Sequence, residues 1–259
     1  KHCVWSMSLA HKILRYLAQT RDQGIVISCS GDLTDLRVWS DAGFAGDLKD
    51  SKSTSGAYLV LVGPKTFAPL GWMCKKQVPV SHSSSEAEII SLDASVRMEG
   101  IPALMFWDTV LDVFHGPKVA KGDLSRKNDS TMDPCIKILS EVDFVPPSLP
   151  SPRGEARLVI FEDNDAVIKM TIKSRAPQMR HCARTHRVDL DFLFHVIRDD
   201  PGVNIKYVGT KSQIADIFTK GQFTSEQWKR LISLAQLGPS TTTQTAASAS
   251  VSISVQKCG

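Results

Sequence analysis

The chain has 259 residues, of which 42% are hydrophobic and 22% are charged, a composition typical of a globular protein with a core. The net charge of +4 is compatible with a nucleic-acid partner but does not indicate one. Six scattered cysteines without a CxxC pair argue against a disulfide framework or a zinc site and favour an intracellular protein with reduced thiols. No run of 18 apolar residues and no signal peptide occur, so we expect neither a membrane span nor secretion. The chain starts at Lys1 rather than Met, which suggests a fragment or a processed piece.

Hydrophobic periodicity in the first half of the chain predicts a helix and then closely spaced strands. The helix is expected at 5–19, a short strand at "IVIS", and three longer strands at 36–46, 55–63 and 69–76. Short turns between the longer strands favour an antiparallel meander. A helix capped by Ser84 or Ser85 should follow and run to about Leu111, with a break near Gly100 and Pro102.

The second half alternates between helices and strands. A buried strand is expected at 157–164, a helix at 165–172, a second helix at 187–200 and a strand at 203–209. Two more helices are expected at 212–220, with a serine cap, and at 225–237. An antiparallel meander followed by alternating helices and strands predicts an α/β protein with a mixed sheet flanked by helices.

Four carboxylates occupy positions that suggest chemistry: Asp41, Glu88, Asp163 and Asp216. An unpaired charge inside an apolar strand costs several kcal/mol, and Asp41 interrupts such a strand. Acids that converge repel one another unless cations lie between them, and Mg²⁺ prefers oxygen ligands. Two such ions about 4 Å apart hold the attacking and leaving oxygens of a phosphodiester. Taken singly, each acid also fits a turn, cap or solvated helix position, so the pattern by itself predicts only a candidate acidic site.

Four stretches of the sequence, "SDAGFAGDLKDSKSTSGAYLVLVG", "GWMCKKQVPVSHSSSEAEIISL", "EDNDAVIKM" and "YVGTKSQIADIFTK", resemble the ribonuclease H domain of copia-type retrotransposon polyproteins. "HKILRYLAQTRDQGIVIS" resembles the segment that joins the reverse transcriptase to this domain. The resemblance covers about residues 9–237 apart from an insertion, and the motifs stand in the family's order. It implies a ribonuclease H-like fold with a five-stranded mixed sheet, whose first three strands are antiparallel, flanked by helices.

The resemblance also implies a catalytic, metal-binding set of Asp41, Glu88, Asp163 and Asp216. The family's alanine–glutamate–apolar pattern selects Glu88 as the inward acid and leaves Glu86, roughly 200° around the helix, as the solvated one. The sequence departs from the family at Gly43, where an acid is usual, at Phe44, where tryptophan is usual, and at Ile89, where tyrosine is usual.

The implied activity is hydrolysis of the RNA strand of RNA–DNA hybrids during reverse transcription, with two Mg²⁺ ions that Mn²⁺ can replace. The reverse transcriptase part of the same polyprotein is the expected partner. The alternative is a catalytically decayed domain that serves as a nucleic-acid-binding or structural module. An integrase-like nuclease is disfavoured, because four acids with the glutamate in the first helix fit ribonuclease H better.

Polar and basic residues near the acids are candidates for contacts with the hybrid. Ser84 and Ser85 could contact 2′-hydroxyl groups. The candidates for phosphate contacts are Lys75, Lys76, Lys173, Arg184 and Arg187. The last three belong to a basic stretch that also includes Lys169, Arg175, Arg180, His181 and His186. A solvated surface explains the same charges, and Trp39 and Trp72 are expected in the core.

The composition divides the chain into five segments. We expect the end of the reverse transcriptase or its connection at 1–30 and the first half of the ribonuclease H domain at 31–114. Residues 115–156, rich in proline, glycine and serine, predict a flexible insertion. The second half of the domain should cover 157–237, and a disordered tail 238–259. The expected location is a cytoplasmic particle or the nucleus.

Overall fold

The structure, a computed structural model, describes residues 2–115 and 155–239 with the exception of Leu48, Arg175 and Arg187. At 2–6, 115 and 239 it describes the backbone only. The predicted flexible insertion and disordered tail therefore lie almost wholly outside the described residues. Within the described part of the chain, no helix is both long enough and apolar enough to cross a membrane.

Seven strands and eight α-helices are present in the described residues. The strands are β1 (Gln23–Ile25), β2 (Asp35–Gly43), β3 (Thr54–Val62), β4 (Phe67–Lys76), β5 (Leu158–Glu162), β6 (Val203–Tyr207) and β7 (Leu237–Pro239). The helices are α1 (His2–Gln19), α2 (Ser84–Ser95), α3 (Ile101–His115), α4 (Asp165–Ile172), α5 (Cys182–Thr185), α6 (Leu190–Asp199), α7 (Asp216–Thr219) and α8 (Ser225–Leu234).

Five of the strands form the main sheet, in the spatial order β4–β3–β2–β5–β6. The pairs β2–β3 and β3–β4 are antiparallel, whereas β2–β5 and β5–β6 are parallel. The short turns after β2 and β3 permit the antiparallel pairs, and the long connections before β5 and β6 permit the parallel ones. The predicted ribonuclease H-like fold, a five-stranded mixed sheet with three antiparallel strands and flanking helices, is confirmed.

Alternating side chains of the central strands supply two apolar cores, one on each face of the sheet. Val38 and Ile160 point to the core beneath α2, α4 and α6. Their neighbours Trp39 and Phe161 point to the opposite core, where their rings stack with centroids 5.0 Å apart. Strands buried on both faces are near-continuous in apolar residues, which makes any carboxylate within them conspicuous.

The helix that follows β4 differs from its prediction in its cap and in its middle. Ser83, rather than Ser84 or Ser85, is the N-cap, because its backbone is extended while the next residues are already helical. Its hydroxyl oxygen accepts a hydrogen bond from the Glu86 N–H at 3.1 Å. The predicted break near Gly100 takes the form of a π-helical turn at Val96–Gly100, which passes directly into α3.

Three predictions in the C-terminal half are wrong in detail. The helix expected at 212–220 is only the four-residue α7, preceded by a 3₁₀ turn at Thr210–Ser212, and no side chain caps it. The helix expected at 187–200 begins only at Leu190, where Asp189 caps it. The helix expected at 225–237 ends at Leu234, because Gln236 adopts a left-handed backbone with φ of 53°.

The chain after this left-handed residue forms a strand that the sequence did not predict. Residues of β7 pair antiparallel with β1, with Gln23 opposite Pro239 and Ile25 opposite Leu237. A strand of three residues is too short to show alternation, so its pattern could not predict it. The resulting two-stranded sheet joins the segment before the main sheet to the segment after it.

The short helix α7 lies directly against β2 and β3 because two glycines leave room for it. A Cβ atom at Gly43 would lie 2.4 Å from the carbonyl oxygen of Thr219, and one at Gly56 would lie 2.5 Å from Thr219 Cγ2. Either side chain would force α7 away from the sheet. The glycine that replaces the family's acid at position 43 thus permits the contact that places Thr219 and Asp216 beside β2.

We expect Gly43→Ala to lower the free energy of unfolding by about 1–3 kcal/mol, since the new methyl group overlaps backbone atoms of Thr219. Gly46→Ala is the matched control, because a Cβ atom there meets only the Gly43 carbonyl oxygen, at 3.9 Å. Chemical denaturation of both variants measures the difference. Equal unfolding free energies for the two variants would contradict the packing described for α7.

Candidate active site

Asp41 lies near the end of β2 and is buried, with only 2% of its surface exposed. The Thr219 hydroxyl donates a hydrogen bond to Asp41 Oδ2. The Ser91 hydroxyl donates a 2.7 Å hydrogen bond to the Asp41 backbone oxygen. A strand, a helix and the α7 contact thus fix both the backbone and the carboxylate of this residue.

A group of buried hydroxyls attaches α2 to the strand that carries Asp41. The Ser95 hydroxyl donates a hydrogen bond to the Ser91 backbone oxygen at 2.7 Å, and its oxygen lies 3.2 Å from the Ser40 hydroxyl oxygen, within hydrogen-bond distance. The Gln213 side-chain amide donates to the Ser40 backbone oxygen at 2.8 Å. Because buried polar groups require partners, these bonds fix how α2 lies on the sheet.

The structure brings together three of the four predicted acids. One carboxylate oxygen each from Asp41, Glu88 and Asp163 lies within 4.8 Å of the other two. Asp163 follows the last residue of β5, and Glu88 lies in the second turn of α2. The parallel pairing of β2 with β5 places the ends of those strands side by side, and α2 presents Glu88 to both.

Burial and repulsion from neighbouring acids dominate the electrostatics of Asp41 and Glu88. Burial, with added repulsion from Asp41 and Asp163, raises the pKa of Glu88 to about 9. Burial also raises the pKa of Asp41, against the opposing effect of the Thr219 hydrogen bond. Glu88 Oε2 is buried and has no hydrogen-bond partner within the described residues. An all-oxygen group of this kind is suited to a hard divalent cation.

Asp216, the fourth predicted acid, lies outside this group of three but close enough to affect it. It is 7% exposed, and its Oδ1 atom lies 2.5 Å from Lys220 Nζ. Burial raises the pKa of Asp216 to about 6; the Lys220 hydrogen bond opposes this increase, and repulsion from Asp41 adds to it. Lys220, which the sequence analysis missed, is therefore the cation nearest to this acid among the described residues.

Glu162 is a further acid that the sequence analysis missed. Its side chain is fully buried, and Oε2 has no partner within the described part of the chain. Burial, followed by repulsion from Glu88, raises its pKa well above the ordinary value. The signal was available in the two-residue period of β5, which places Glu162 on the same face as Ile160 and towards α2.

The prediction that Glu86 is solvated is wrong, because its carboxylate turns towards two histidines instead of water. Glu86 is 3% exposed, and its Oε1 atom lies 3.2 Å from His181 Nε2 and 2.6 Å from His186 Nε2. Its Oε2 atom accepts a hydrogen bond from the His82 N–H at 3.1 Å. Burial raises the pKa of Glu86, but these partners outweigh it and hold the pKa below its usual value.

The candidate nucleic-acid contacts differ in their availability. Ser84, Lys75, Lys173 and Arg184 are exposed, Ser85 is half-buried, and Arg187 lies outside the described residues. Lys76 is already paired with Asp47 at 2.5 Å and Asp50 at 2.9 Å.

The two candidate core tryptophans also differ. Trp39 is buried as predicted, whereas Trp72 is 60% exposed, so the prediction that Trp72 belongs to the core is wrong. It lies on β4, an edge strand of the main sheet, where its side chain is open to solvent.

Comparison with known proteins gives three relatives for parts of this chain. Retrovirus-related Pol polyproteins from the Arabidopsis thaliana transposons RE2 and RE1 are 41% and 42% identical over 95 residues, or 36% of this chain. That stretch spans only 6% of the length of each polyprotein. The secreted RxLR effector protein 161 of Plasmopara viticola is 35% identical over 86 residues, which are 33% of this chain and 57% of the effector. No protein-family model matches the chain.

The predicted relationship to Pol polyproteins of copia-type retrotransposons is confirmed over that third of the chain. Among solved structures, LC11-RNase H1, isolated from compost, covers 72% of this chain and 94% of its own, with 13% identity and a TM-score of 0.34. The strand order and the pairing of the strands define the fold, independently of this similarity.

The raised pKa of Glu88 predicts how stability depends on pH without divalent ions. A carboxyl whose pKa is higher in the folded state favours folding while it is protonated, and this contribution is lost as pH rises from 4.5 towards about 9. The free energy of unfolding in a chelator should therefore fall over this window, with a slope of up to about 1.4 kcal/mol per pH unit from this group. Saturating Mg²⁺ should reduce the fall, because the ion compensates the ionised carboxylates.

Urea denaturation across this pH window, in chelator and in Mg²⁺, measures the effect. Glu88→Gln should flatten the metal-free profile, whereas Glu226→Gln, which removes an exposed carboxylate from α8, should leave it unchanged. Parallel profiles for the wild type and Glu88→Gln would show that Glu88 is not the source of the pH dependence.

Proposed function

We propose that this chain is a ribonuclease H domain that hydrolyses the RNA strand of RNA–DNA hybrids with the help of two Mg²⁺ ions. The observation that carries the proposal is the convergence of Asp41, Glu88 and Asp163 from a strand, a helix and a second strand end. Repulsion opposes the gathering of three carboxylates at this separation, so cations bound among them would account for the arrangement. The similarity to Pol polyproteins supports a role in reverse transcription alongside a reverse transcriptase.

The residues present fit magnesium. The donors of the three-acid group are all carboxylate oxygens, and one of them, Glu88 Oε2, is buried without a partner in the described residues. Asp41, Glu88 and Asp163 would hold the ions, and Mn²⁺, which accepts the same ligands, would replace Mg²⁺. When bound, such ions supply a nucleophilic water and neutralise the charge that develops on the leaving 3′ oxygen.

The protein's own contribution is to hold these carboxylates in place before substrate arrives. Thr219 holds Oδ2 of the Asp41 carboxylate, and Ser91 holds the backbone oxygen of the same residue. Lys220 neutralises Asp216 next to them. Asp216 would be a further ligand of the second ion and would help product leave, with its Lys220 partner free to contact a phosphate instead.

Substrate would lie across the exposed groups beside the acids. Ser84, at the exposed start of α2, precedes Glu88 by four residues, or about one helical turn. Its hydroxyl could contact a 2′-hydroxyl group, the feature that distinguishes RNA from DNA. Ser85 is the second candidate for this contact. Lys75, Lys173 and Arg184 are exposed and would contact phosphates. Lys76 and Arg187 would do the same.

Cleavage of a labelled RNA–DNA hybrid tests the proposal. With Mg²⁺, the wild type should cleave the RNA strand, and Asp163→Asn should reduce the rate by about 100-fold or more, because it removes charge at the reacting centre. Asp165→Asn is the matched control, since Asp165 is an exposed acid two residues away that pairs with Lys169. Hybrid binding without cleavage by the wild type would overturn the enzyme proposal and favour a decayed binding module.

Binding of the uncleaved hybrid tests the phosphate contacts separately. In an Asp163→Asn background, Lys173→Ala and Arg184→Ala should each weaken binding and reduce the salt slope by about 1, since a protein that neutralises one phosphate fewer also releases one counterion fewer. Lys229→Ala, on the exposed surface of α8, is the charge-matched control. Titration at several salt concentrations measures both quantities, and equal slopes for all three variants would exclude Lys173 and Arg184 from the interface.

A further inference from the structure

We propose that Glu86, His181, Cys182 and His186 form a second metal site, which takes Zn²⁺ or a similar transition-metal ion. One ligand atom from each of the four residues lies within 4.8 Å of all the others. We name this group the histidine–cysteine cluster. It shares no residue with the group of Asp41, Glu88 and Asp163, and its donors differ in kind.

Two elements distant in sequence supply the cluster. Glu86 lies in the first turn of α2, and the other three residues come from one short segment around α5. Cys182 opens α5 and His186 caps it, with the His186 N–H bonded to the Cys182 carbonyl at 2.8 Å. Residues four apart in a helical turn share a face, so the thiol and the imidazole of this pair both point towards α2.

The donors of the cluster are buried to a degree that requires explanation. Cys182 is fully buried, Glu86 is 3% exposed, and the His186 side chain is 1% exposed. His186 Nε2 lies close to Glu86 Oε1 but not in line with it, and neither ring nitrogen of His186 makes an aligned hydrogen bond within the described residues. A buried polar atom without a partner is destabilising, and a bound ion is one partner that can satisfy such an atom.

An ion pair between Glu86 and the histidines does not account for the whole arrangement. It explains why Oε1 faces both rings, at 3.2 Å from His181 and 2.6 Å from His186. It leaves both ring nitrogens of His186 without an aligned hydrogen bond among the described residues, and it does not involve the Cys182 thiol, which lies beside it at the edge of the apolar core. A cation among the four donors would take one ligand atom from the carboxylate, one from each ring and the sulfur at once.

The chemistry of the donors favours a transition metal over magnesium. Imidazole nitrogen, thiolate sulfur and carboxylate oxygen are the ligands of Zn²⁺, whereas Mg²⁺ takes oxygen. Zinc bonds of about 2.0–2.3 Å place neighbouring ligand atoms roughly 3.3–3.8 Å apart, so side-chain adjustments below about 1.5 Å would complete the site. Burial raises the pKa of the Cys182 thiol to about 11, and a bound dication reverses this preference and releases the proton.

The sequence did not reveal this site and even argued against zinc, because it has no CxxC pair. The spacing from His181 to His186 brings three donors from one segment, but the fourth donor lies 95 residues earlier in the chain. Only the packing of α5 against the start of α2 unites them. An ion there would attach the segment that carries Arg184 to the helix that carries Glu88.

Metal binding by the full chain, in excess Mg²⁺ to occupy the carboxylates, tests the proposal. Zn²⁺ should bind with one ion per chain, and Co²⁺ should give the visible bands of a tetrahedral site with a sulfur-to-cobalt charge-transfer band. Cys182→Ser should remove the charge-transfer band, and His186→Gln should weaken Zn²⁺ binding by at least about 10-fold. Cys74→Ser and His195→Gln, which alter exposed residues, should change neither.

Thermal unfolding gives a second readout that does not depend on activity. Zn²⁺ should raise Tm of the wild type and of Asp163→Asn, which separates this site from the proposed nuclease centre, but not of Cys182→Ser. Cys182→Ser nearly preserves the side-chain volume, so the test stands even where His186→Gln fails to fold. No Zn²⁺ binding by the wild type in excess Mg²⁺, or equal affinity in the wild type and Cys182→Ser, would overturn the proposal.

Discussion

Repulsion between like charges is the constraint that this fold must overcome to assemble its candidate site. Asp41, Glu88 and Asp163 come from three elements and are brought within 4.8 Å of one another. The carboxylates and their immediate surroundings do not favour this convergence, because burial disfavours the ionised form and raises the pKa of both Asp41 and Glu88. The two apolar cores on either face of the sheet hold the elements in place, and the buried hydroxyls between α2 and β2 set their orientation.

The first turns of α2 connect the two groups of titratable residues. Glu86 and Glu88 are two residues apart and therefore project roughly 200° from each other around the helix axis. One faces the histidines of the α5 segment, and the other faces the acids at the end of β2 and β5. A rotation or shift of this helix would disturb both groups together, which makes the Ser83 cap and the serines beneath α2 important for each.

The sequence was informative wherever a local pattern decides the structure. Alternation and short turns predicted the three antiparallel strands, and the family motifs predicted the acids that converge. Tertiary contacts decided the remainder, since Glu86 resembles any first-turn acid until α5 packs against it. The Asp216–Lys220 pair has i,i+4 spacing that the sequence could have indicated, but its place beside the other acids depends on the packing of α7 against β2 and β3. The strand β7 forms because it pairs with β1. A segment of three residues is too short for its own sequence pattern to predict such a pairing. The two-residue period of β5 indicates that the Glu162 side chain points inward. The neighbouring Asp163 accounts equally well for an acid at the end of that strand.

The pairing of β1 with β7 has a mechanical consequence. Gln23 lies opposite Pro239, so the polypeptide flanking the domain on one side meets the polypeptide flanking it on the other at a single point. Tension transmitted along the chain would act across this ladder and peel it open one pair at a time. Between β1 and β2, the bridge between Ser28 and Phe67 attaches the same segment to β4, and Tyr58 of β3 donates a hydrogen bond to the Ala235 oxygen just before β7. Tension on both flanking segments would therefore load these three pairs before it loaded the strands that carry the acids.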